Sequence, residues 1–133
     1  MEDNAIYIVK GTAPVNSEAY GAVKSQLDSG RLKFLISERD AKLKLMGTTL
    51  GQSMTVEQRN EYLLPYTLTD ILREEMLNLR EENEGVNIIL KQANKNIRKD
   101  KFSALCYAVY YIREMEDNKK RKRGSIQDYM FLN

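Results

Sequence analysis

The sequence has no histidine, no tryptophan and a single cysteine among its 133 residues. Without histidine the chain cannot form a Ser-His-Asp or Cys-His catalytic arrangement or a histidine metal site. Cys106 alone excludes an internal disulfide and fits a reducing compartment, and its apolar neighbours favour a buried filler over a nucleophile. Because no Walker-type glycine-rich loop is present, this chain alone does not hydrolyse ATP by that route. Any catalysis would have to use carboxylates and metal ions.

Long apolar runs are also missing. No stretch approaches the roughly twenty residues that cross a bilayer, which excludes a membrane span. The opening residues have no basic-then-apolar order, so a secretory signal is not expected. The composition, 42% hydrophobic and 30% charged, is typical of one soluble globular domain.

Charge is small in total but uneven along the chain. Residues 1–90 carry 10 Lys and Arg against 14 Asp and Glu, a net of −4, whereas residues 91–133 carry 11 against 5, a net of +6. This gradient favours a polyanionic partner on the C-terminal side, with nucleic acid as the natural candidate.

The hydrophobic pattern predicts a mixed, helix-rich α/β fold with about three strands in one sheet flanked by helices. The strands are predicted at residues 6–9, 31–36 and 86–90. Residues 12–15 are predicted as a connector and residues 47–54 as a loop.

Helices are predicted wherever a capping residue precedes apolar residues at helical spacing. One runs from Asn16 or Ser17 to Gly30, one from Ser37 to Gly47, and one from Thr55 to Pro65, which interrupts it before a restart at residues 67–70. The restarted helix carries six side chains on one stripe: Leu68, Ile71, Leu72, Glu75, Met76 and Leu79.

Asp100 lies between Lys99 and Lys101 at the predicted start of a strongly amphipathic helix. A carboxylate at a helix start stays ionised, and in a basic frame it could hold a divalent metal beside phosphate. The alternative is an ordinary helix cap, which spacing alone favours. Four apolar side chains predict the core-facing stripe of this helix, which is expected to end near Asp117: Phe102, Leu105, Val109 and Ile112.

Two further charged clusters are candidates for sites. The acidic one, Glu81, Glu82 and Glu84, is more typical of a solvated loop than of a metal site. The other, which we call the basic segment, could bind DNA phosphates or be a solvated helix end; it consists of Lys119, Lys120, Arg121, Lys122 and Arg123.

Several segments, in the same order, resemble the nuclease domain of phage large terminase subunits. The most distinctive is Lys-Asp-Lys-Phe-Ser-Ala-Leu at residues 99–105, followed by Tyr107, Tyr110 and Tyr111. The others lie upstream at residues 16–19, 30–36, 61–69 and 75–80. The resemblance covers residues 6–123, which it assigns to the C-terminal portion of that domain, with residues 124–133 as a tail.

The resemblance implies a partial ribonuclease H-like fold and a role in cutting concatemeric viral DNA during packaging. Asp100 matches the last acid of the family pattern and would be a catalytic metal ligand for Mg²⁺ or Mn²⁺. Lys99, Lys101 and the basic segment would contact double-stranded DNA. The implied partners are the terminase ATPase domain, the small terminase subunit and the portal, in the bacterial host cytoplasm.

The chain departs from the family pattern in its acids. The segments that carry the family's earlier acids are not found here, and Glu2 and Asp3 have no matching surroundings. One carboxylate cannot hold two metals, so we expect little nuclease activity from this chain alone. A second acid within the chain would have to come from Glu38 or from the Glu81, Glu82 and Glu84 group. Loss of the opening strands would expose a sheet edge, which predicts self-association. The competing hypothesis is a non-enzymatic helical module for nucleic-acid binding or assembly, in which Asp100 only caps a helix.

Overall fold

A computed structural model describes residues 10–131 of the chain, with side chains described to residue 124. Helices dominate this range, and a single antiparallel hairpin accompanies them. The elements in chain order are α1 (Ala13–Asp28), α2 (Glu38–Met46), α3 (Thr49–Ser53), α4 (Val56–Leu77), β1 (Leu79–Glu84), β2 (Asn87–Gln92) and α5 (Asp100–Phe131). The predicted mixed, helix-rich α/β class is confirmed, and the predicted strand at residues 6–9 lies outside the described residues.

Packing between α1 and α5 forms the buried core, which consists of Ala19, Val23, Phe102 and Cys106. The expected connector at residues 12–15 is wrong, because α1 already begins at Ala13. Pro14 occupies its first turn, where the missing N–H of proline leaves no helical bond unmade. Gly30 follows the helix with a φ of 71°, as predicted from its position.

Each helix of a second group, α2, α3 and α4, begins with a side-chain cap. The predicted start of α2 is confirmed, since the Ser37 hydroxyl accepts the Asp40 amide at 3.2 Å. The predicted loop at residues 47–54 is wrong in part, because α3 forms within it, with Thr48 accepting the Gly51 amide at 3.0 Å. The two hydroxyl-bearing residues therefore start helices, as N-cap residues do.

The expected interruption at Pro65 is also wrong, because α4 runs through it for 22 residues. A reciprocal capping box between Thr55 and Gln58 fixes the start of α4. Proline removes one N–H donor and crowds the carbonyl four residues before it, while Thr69 donates its hydroxyl to the Pro65 carbonyl at 2.7 Å. The stabilisation of α4 at its ends and by packing against neighbouring helices outweighs the local destabilisation that proline causes.

Residues 31–36 form no strand, contrary to the prediction. The Arg73 guanidinium lies 6.0 Å from the centre of the Phe34 ring and donates to the Leu35 carbonyl. Three residues further along the chain, the backbone N–H of Glu38 donates to the Asp70 carboxylate at 2.8 Å. Side chains of α4 thus bond to this segment, whereas a β-strand would need hydrogen bonds to the backbone of a neighbouring strand.

The hairpin pairs Leu79 with Gln92 and Glu84 with Asn87 at its two ends. Gly85 has a φ of 62° and begins the two-residue loop, as in a type II′ turn. The predicted third strand is confirmed as β2. Glu81, Glu82 and Glu84 were predicted as a loop but form β1, so the described residues contain two strands instead of about three.

The last helix, α5, is 32 residues long and continues past the predicted end near Asp117 to Phe131, a rise of about 48 Å. Lys, Arg, Glu and Met are good helix formers, and they dominate residues 113–123. The predicted core stripe is wrong only at its end: Phe102 is buried and Leu105 and Val109 pack against the core, whereas Ile112 is 54% exposed. The helix also crosses the boundary expected between domain and tail at residue 123, and that boundary stays a prediction.

Candidate functional site

The start of α5 is capped by a buried carboxylate from α4. Glu75 is only 2% exposed, and its Oε2 accepts the Phe102 amide at 3.0 Å, with the Lys101 amide 3.5 Å from Oε1. These are amides that a helix leaves unpaired at its first turn. The negative charge also lies at the positive end of the helix dipole. The sequence pattern predicts Glu75 on an apolar stripe and carries no signal of this role.

Asp100 lies outside this cap. Its side chain is 74% exposed, and Arg98 Nη1 lies 3.8 Å from its Oδ2, a contact of little energetic weight between two exposed groups. Among the described residues, no helix amide donates to its carboxylate, so Asp100 does not act as the hydrogen-bonding cap that one hypothesis assigned to it. Its carboxylate faces water at the first turn of α5.

The two lysines predicted beside Asp100 are both exposed. Lys99 Nζ is 3.5 Å from the Leu90 carbonyl of β2, so this cation reaches toward the hairpin. Lys101 makes no ion pair within the described part of the chain. The positive frame predicted around Asp100 is therefore present, but Arg98 supplies its closest cation.

Two of the other candidate acids, Glu81 and Glu82, have partners of their own. Tyr20 donates its hydroxyl to Glu81, and Lys24 lies 3.3 Å away; these two partners lower the pKa of Glu81, Tyr20 more than Lys24. Glu82 pairs with Lys91 at 2.6 Å, and this hydrogen bond raises the pKa of Lys91. These interactions bond Glu81 to α1 and Glu82 to β2.

These positions decide how well the chain fits a divalent metal. A two-metal centre needs several carboxylates converging within a few ångströms. Over the described range, no three His, Cys, Asp or Glu side chains come close enough together to hold a metal ion. Glu75, the other carboxylate at the start of α5, is bonded to helix amides, so the described residues do not fit a complete centre.

The basic segment lies on a continuous stretch of α5. All five of its side chains are exposed, and none forms an ion pair with another described residue. Successive side chains on an α-helix differ by about 100°, so five in a row cover its whole circumference. This part of α5 therefore presents positive charge in every direction, so whichever side meets DNA offers cations to its phosphates without regard to base sequence.

A cavity of about 390 Å³ lies between α1, β2 and α5. Its lining includes Tyr20, Phe102, Cys106, Tyr107 and Lys99. Tyr107 donates its hydroxyl to Asn16 Oδ1 at 2.6 Å, which supports the prediction that this tyrosine packs within the fold. Burial raises the pKa of the Cys106 thiol to about 11, so the thiol is not an activated nucleophile.

Comparisons with known protein families, with curated proteins and with solved structures found no match to this chain. Within residues 10–131, no helix has the length and apolar character that a membrane crossing requires.

Proposed function

We propose that this chain is the C-terminal portion of the nuclease domain of a phage large terminase subunit. Its own contribution is to bind double-stranded DNA through the basic segment of α5. The ordered resemblance of residues 6–123 supports the family. The DNA-binding role depends on one observation: five exposed cations surround α5 without acidic partners among the described residues.

In this proposal the chain does not cut DNA alone. Asp100 is exposed and available to a Mg²⁺ or Mn²⁺ centre in the complete ribonuclease H-like domain, whose other donors belong to protein outside this chain. The ATPase domain, the small terminase subunit and the portal are the partners that the resemblance implies. The hairpin and its flanking helices would be this chain's share of the complete fold.

A non-enzymatic nucleic-acid-binding or assembly module is the second candidate. The position of Glu75 favours it, because the carboxylate held at the start of α5 has a structural role. The side chain of Asp100, the acid with the proposed catalytic role, contacts a neighbouring arginine and no other charged group that the structure describes. Both candidates include DNA binding by the basic segment, and they differ in whether Asp100 has a chemical role.

Binding to a fluorescent 30-base-pair duplex, measured by anisotropy over a range of salt concentrations, tests the shared part. Changing all five cations of the basic segment to Gln should weaken binding and reduce the salt slope by as much as about 4. A matched control removes the same charge from exposed cations elsewhere, namely Arg31, Lys33, Arg39, Lys42 and Lys44. Equal losses in both variants, or none in the first, would contradict the assignment of the DNA contact to α5.

Plasmid cleavage in Mn²⁺ or Mg²⁺ tests the catalytic part. We expect no cleavage above background from the chain alone. Robust cutting that disappears in Asp100→Ala would show that a complete centre exists within this chain, and would make Glu38 or the β1 glutamates the next acids to replace. An upstream reading frame with a Walker-type loop and an early strand-borne aspartate would support the family, and its absence would favour the second candidate.

A further inference from the structure

The cavity between α1, β2 and α5 is large enough for a small molecule. Its volume of about 390 Å³ lies within the range of ligand pockets, about 300–1,000 Å³. An apolar cavity of about 150 Å³ already holds a benzene ring, so this one has room for a body roughly twice that size. Two alanines of α1, Ala13 and Ala19, line it, and their short side chains leave this space open.

Much of the cavity wall is apolar. Strand β2 contributes Ile88, Ile89 and Leu90, and α5 contributes Phe102 and Cys106, both of which are buried. Moving hydrocarbon from water into such surroundings is favourable in proportion to the apolar area that is buried. This wall therefore favours a ligand with a hydrocarbon body.

A row of polar side chains runs beside the apolar residues of α5. Lys99, Ser103 and Tyr107 are spaced four residues apart and all line the cavity, so they follow one side of the helix over about 12 Å. Helical geometry already includes Lys99, because its carbonyl accepts the Ser103 amide at 2.9 Å. Tyr107 donates to Asn16, whereas the Ser103 hydroxyl has no hydrogen-bond partner between residues 10 and 124. One side of the cavity thus offers an unused donor.

The charge of the cavity wall favours an anion. Lys99 is the sole charged side chain among the described residues that line the cavity. Its Nζ lies 3.5 Å from the Leu90 carbonyl, which is longer than an ordinary hydrogen bond. Lys99 forms no ion pair with any residue that the structure describes. A carboxylate beside it would form a charge-assisted hydrogen bond, which is stronger than one between neutral groups.

We propose that this cavity binds a monocarboxylic acid whose apolar body has roughly ten carbons. Lys99 and Ser103 lie one helical turn apart, so a single carboxylate reaches both. It pairs with the Lys99 ammonium and accepts the Ser103 hydroxyl, while the hydrocarbon body packs against β2 and Phe102. The site is separate from the basic segment, and the proposal depends on neither DNA binding nor the terminase assignment.

Isothermal titration of the full chain with decanoate, up to about 1 mM, tests the ion pair, with decanol as the neutral comparison. Lys99→Met keeps an apolar stem but removes the charge, so we expect the dissociation constant of decanoate to rise at least about tenfold. That of decanol should not change. Lys101→Met is the matched control, because Lys101 is an exposed cation that does not line the cavity. Equal losses in the two variants, or equal losses for decanoate and decanol, would overturn the proposal.

The sole cysteine locates the bound acid, because Cys106 lines the cavity. Saturating decanoate should slow the reaction of this thiol with an aromatic disulfide reagent at least fivefold in the folded chain. Ser103→Phe fills the cavity and should abolish both the binding and the protection, with helix content by circular dichroism unchanged. Binding that leaves the Cys106 rate unchanged would place the acid elsewhere and overturn the proposal.

Two further outcomes separate this proposal from its alternatives. A wild-type chain that shows no saturable binding of decanoate would indicate that the protein itself fills the cavity, which would also overturn the proposal. The variant with five Gln in the basic segment should bind decanoate as the wild type does, whatever its affinity for DNA. A loss of decanoate binding in that variant would show that general electrostatic attraction, and not Lys99, holds the acid.

Discussion

The carboxylate of Glu75 accepts the backbone N–H of Phe102 at 3.0 Å, which joins the end of α4 to the start of α5. Both residues are buried, at 2% and 3% exposure. A buried charge is stable only when its oxygens are hydrogen-bonded, and here helix amides provide the partners. The cap fixes where α5 begins and thereby where Asp100, Lys99 and Lys101 are presented.

Replacing Glu75 should destabilise the chain strongly. Glu75→Ala leaves the Phe102 amide without its acceptor and opens a small cavity, so we expect a loss of about 2–3 kcal/mol in the free energy of unfolding. Glu75→Gln keeps one acceptor oxygen and should lose less. Urea titrations followed by circular dichroism measure both values. Glu74→Ala removes an exposed neighbour and should change stability by under about 0.5 kcal/mol; equal effects at both positions would contradict the capping role.

The cap at the start of α5 marks the limit of what could be predicted from the sequence alone. The capping signals at Ser37 and Thr55, and the acid at the start of α5, are local patterns, and the helices begin where those patterns predicted. Glu75 could not be recognised in the same way because its partner lies 27 residues away in the chain. Helical spacing predicts Glu75 correctly on the buried side of α4. A charged residue within an apolar stripe does not, however, identify the group to which it is hydrogen-bonded.

The errors in strand assignment have a similar cause. Residues 31–36 have suitable residues for a strand, yet Arg73 and Asp70 of α4 bind this segment instead. The glutamates of β1 are poor strand formers, but pairing with β2 across the Gly85 turn overrides that preference. The candidate site was predictable as far as it depends on position along α5. Whether acids converge on Asp100 depends on tertiary contacts that spacing does not report.

The contact between Tyr20 and Glu81 should make stability depend on acid pH. The Tyr20 hydroxyl, and secondarily Lys24, lower the pKa of Glu81 below its usual value, so the unfolded chain binds this proton more readily. The stability that this contact contributes is therefore complete above the pKa of Glu81 in the unfolded chain, about 4.3. It is lost as the pH falls through the lower pKa of the folded chain. Tyr20→Phe should flatten the change in urea midpoint between pH 6 and pH 3. Tyr62→Phe is the control, and an unchanged pH dependence in Tyr20→Phe would contradict this account.

Gly51 should tolerate no side chain. A Cβ at this position would lie 2.0 Å from the Leu45 carbonyl oxygen, because α3 packs directly on the end of α2. Gly51→Ala must therefore push the two helices apart, and we expect a loss of about 2 kcal/mol or more. Gly21→Ala is the matched control: Gly21 lies within α1, where a Cβ would point into open space, and the change should stabilise by about 0.5–1 kcal/mol. Thermal unfolding distinguishes the two, and a neutral Gly51→Ala would contradict the close contact.

The single thiol offers a direct measure of how well the α1–α5 core is closed. Burial raises the pKa of Cys106 to about 11, so at pH 8 far less thiolate is present than in a free cysteine, whose pKa is about 8.5. We expect its reaction with an aromatic disulfide reagent to be on the order of 100-fold slower in the folded chain than in 6 M guanidinium. Because Cys106 is the sole cysteine, no other residue contributes to the signal. Glu75→Ala should accelerate the reaction by loosening the start of α5, whereas Glu74→Ala should not. Reaction at the unfolded rate in the native chain would show that Phe102 and α1 do not cover this thiol in solution.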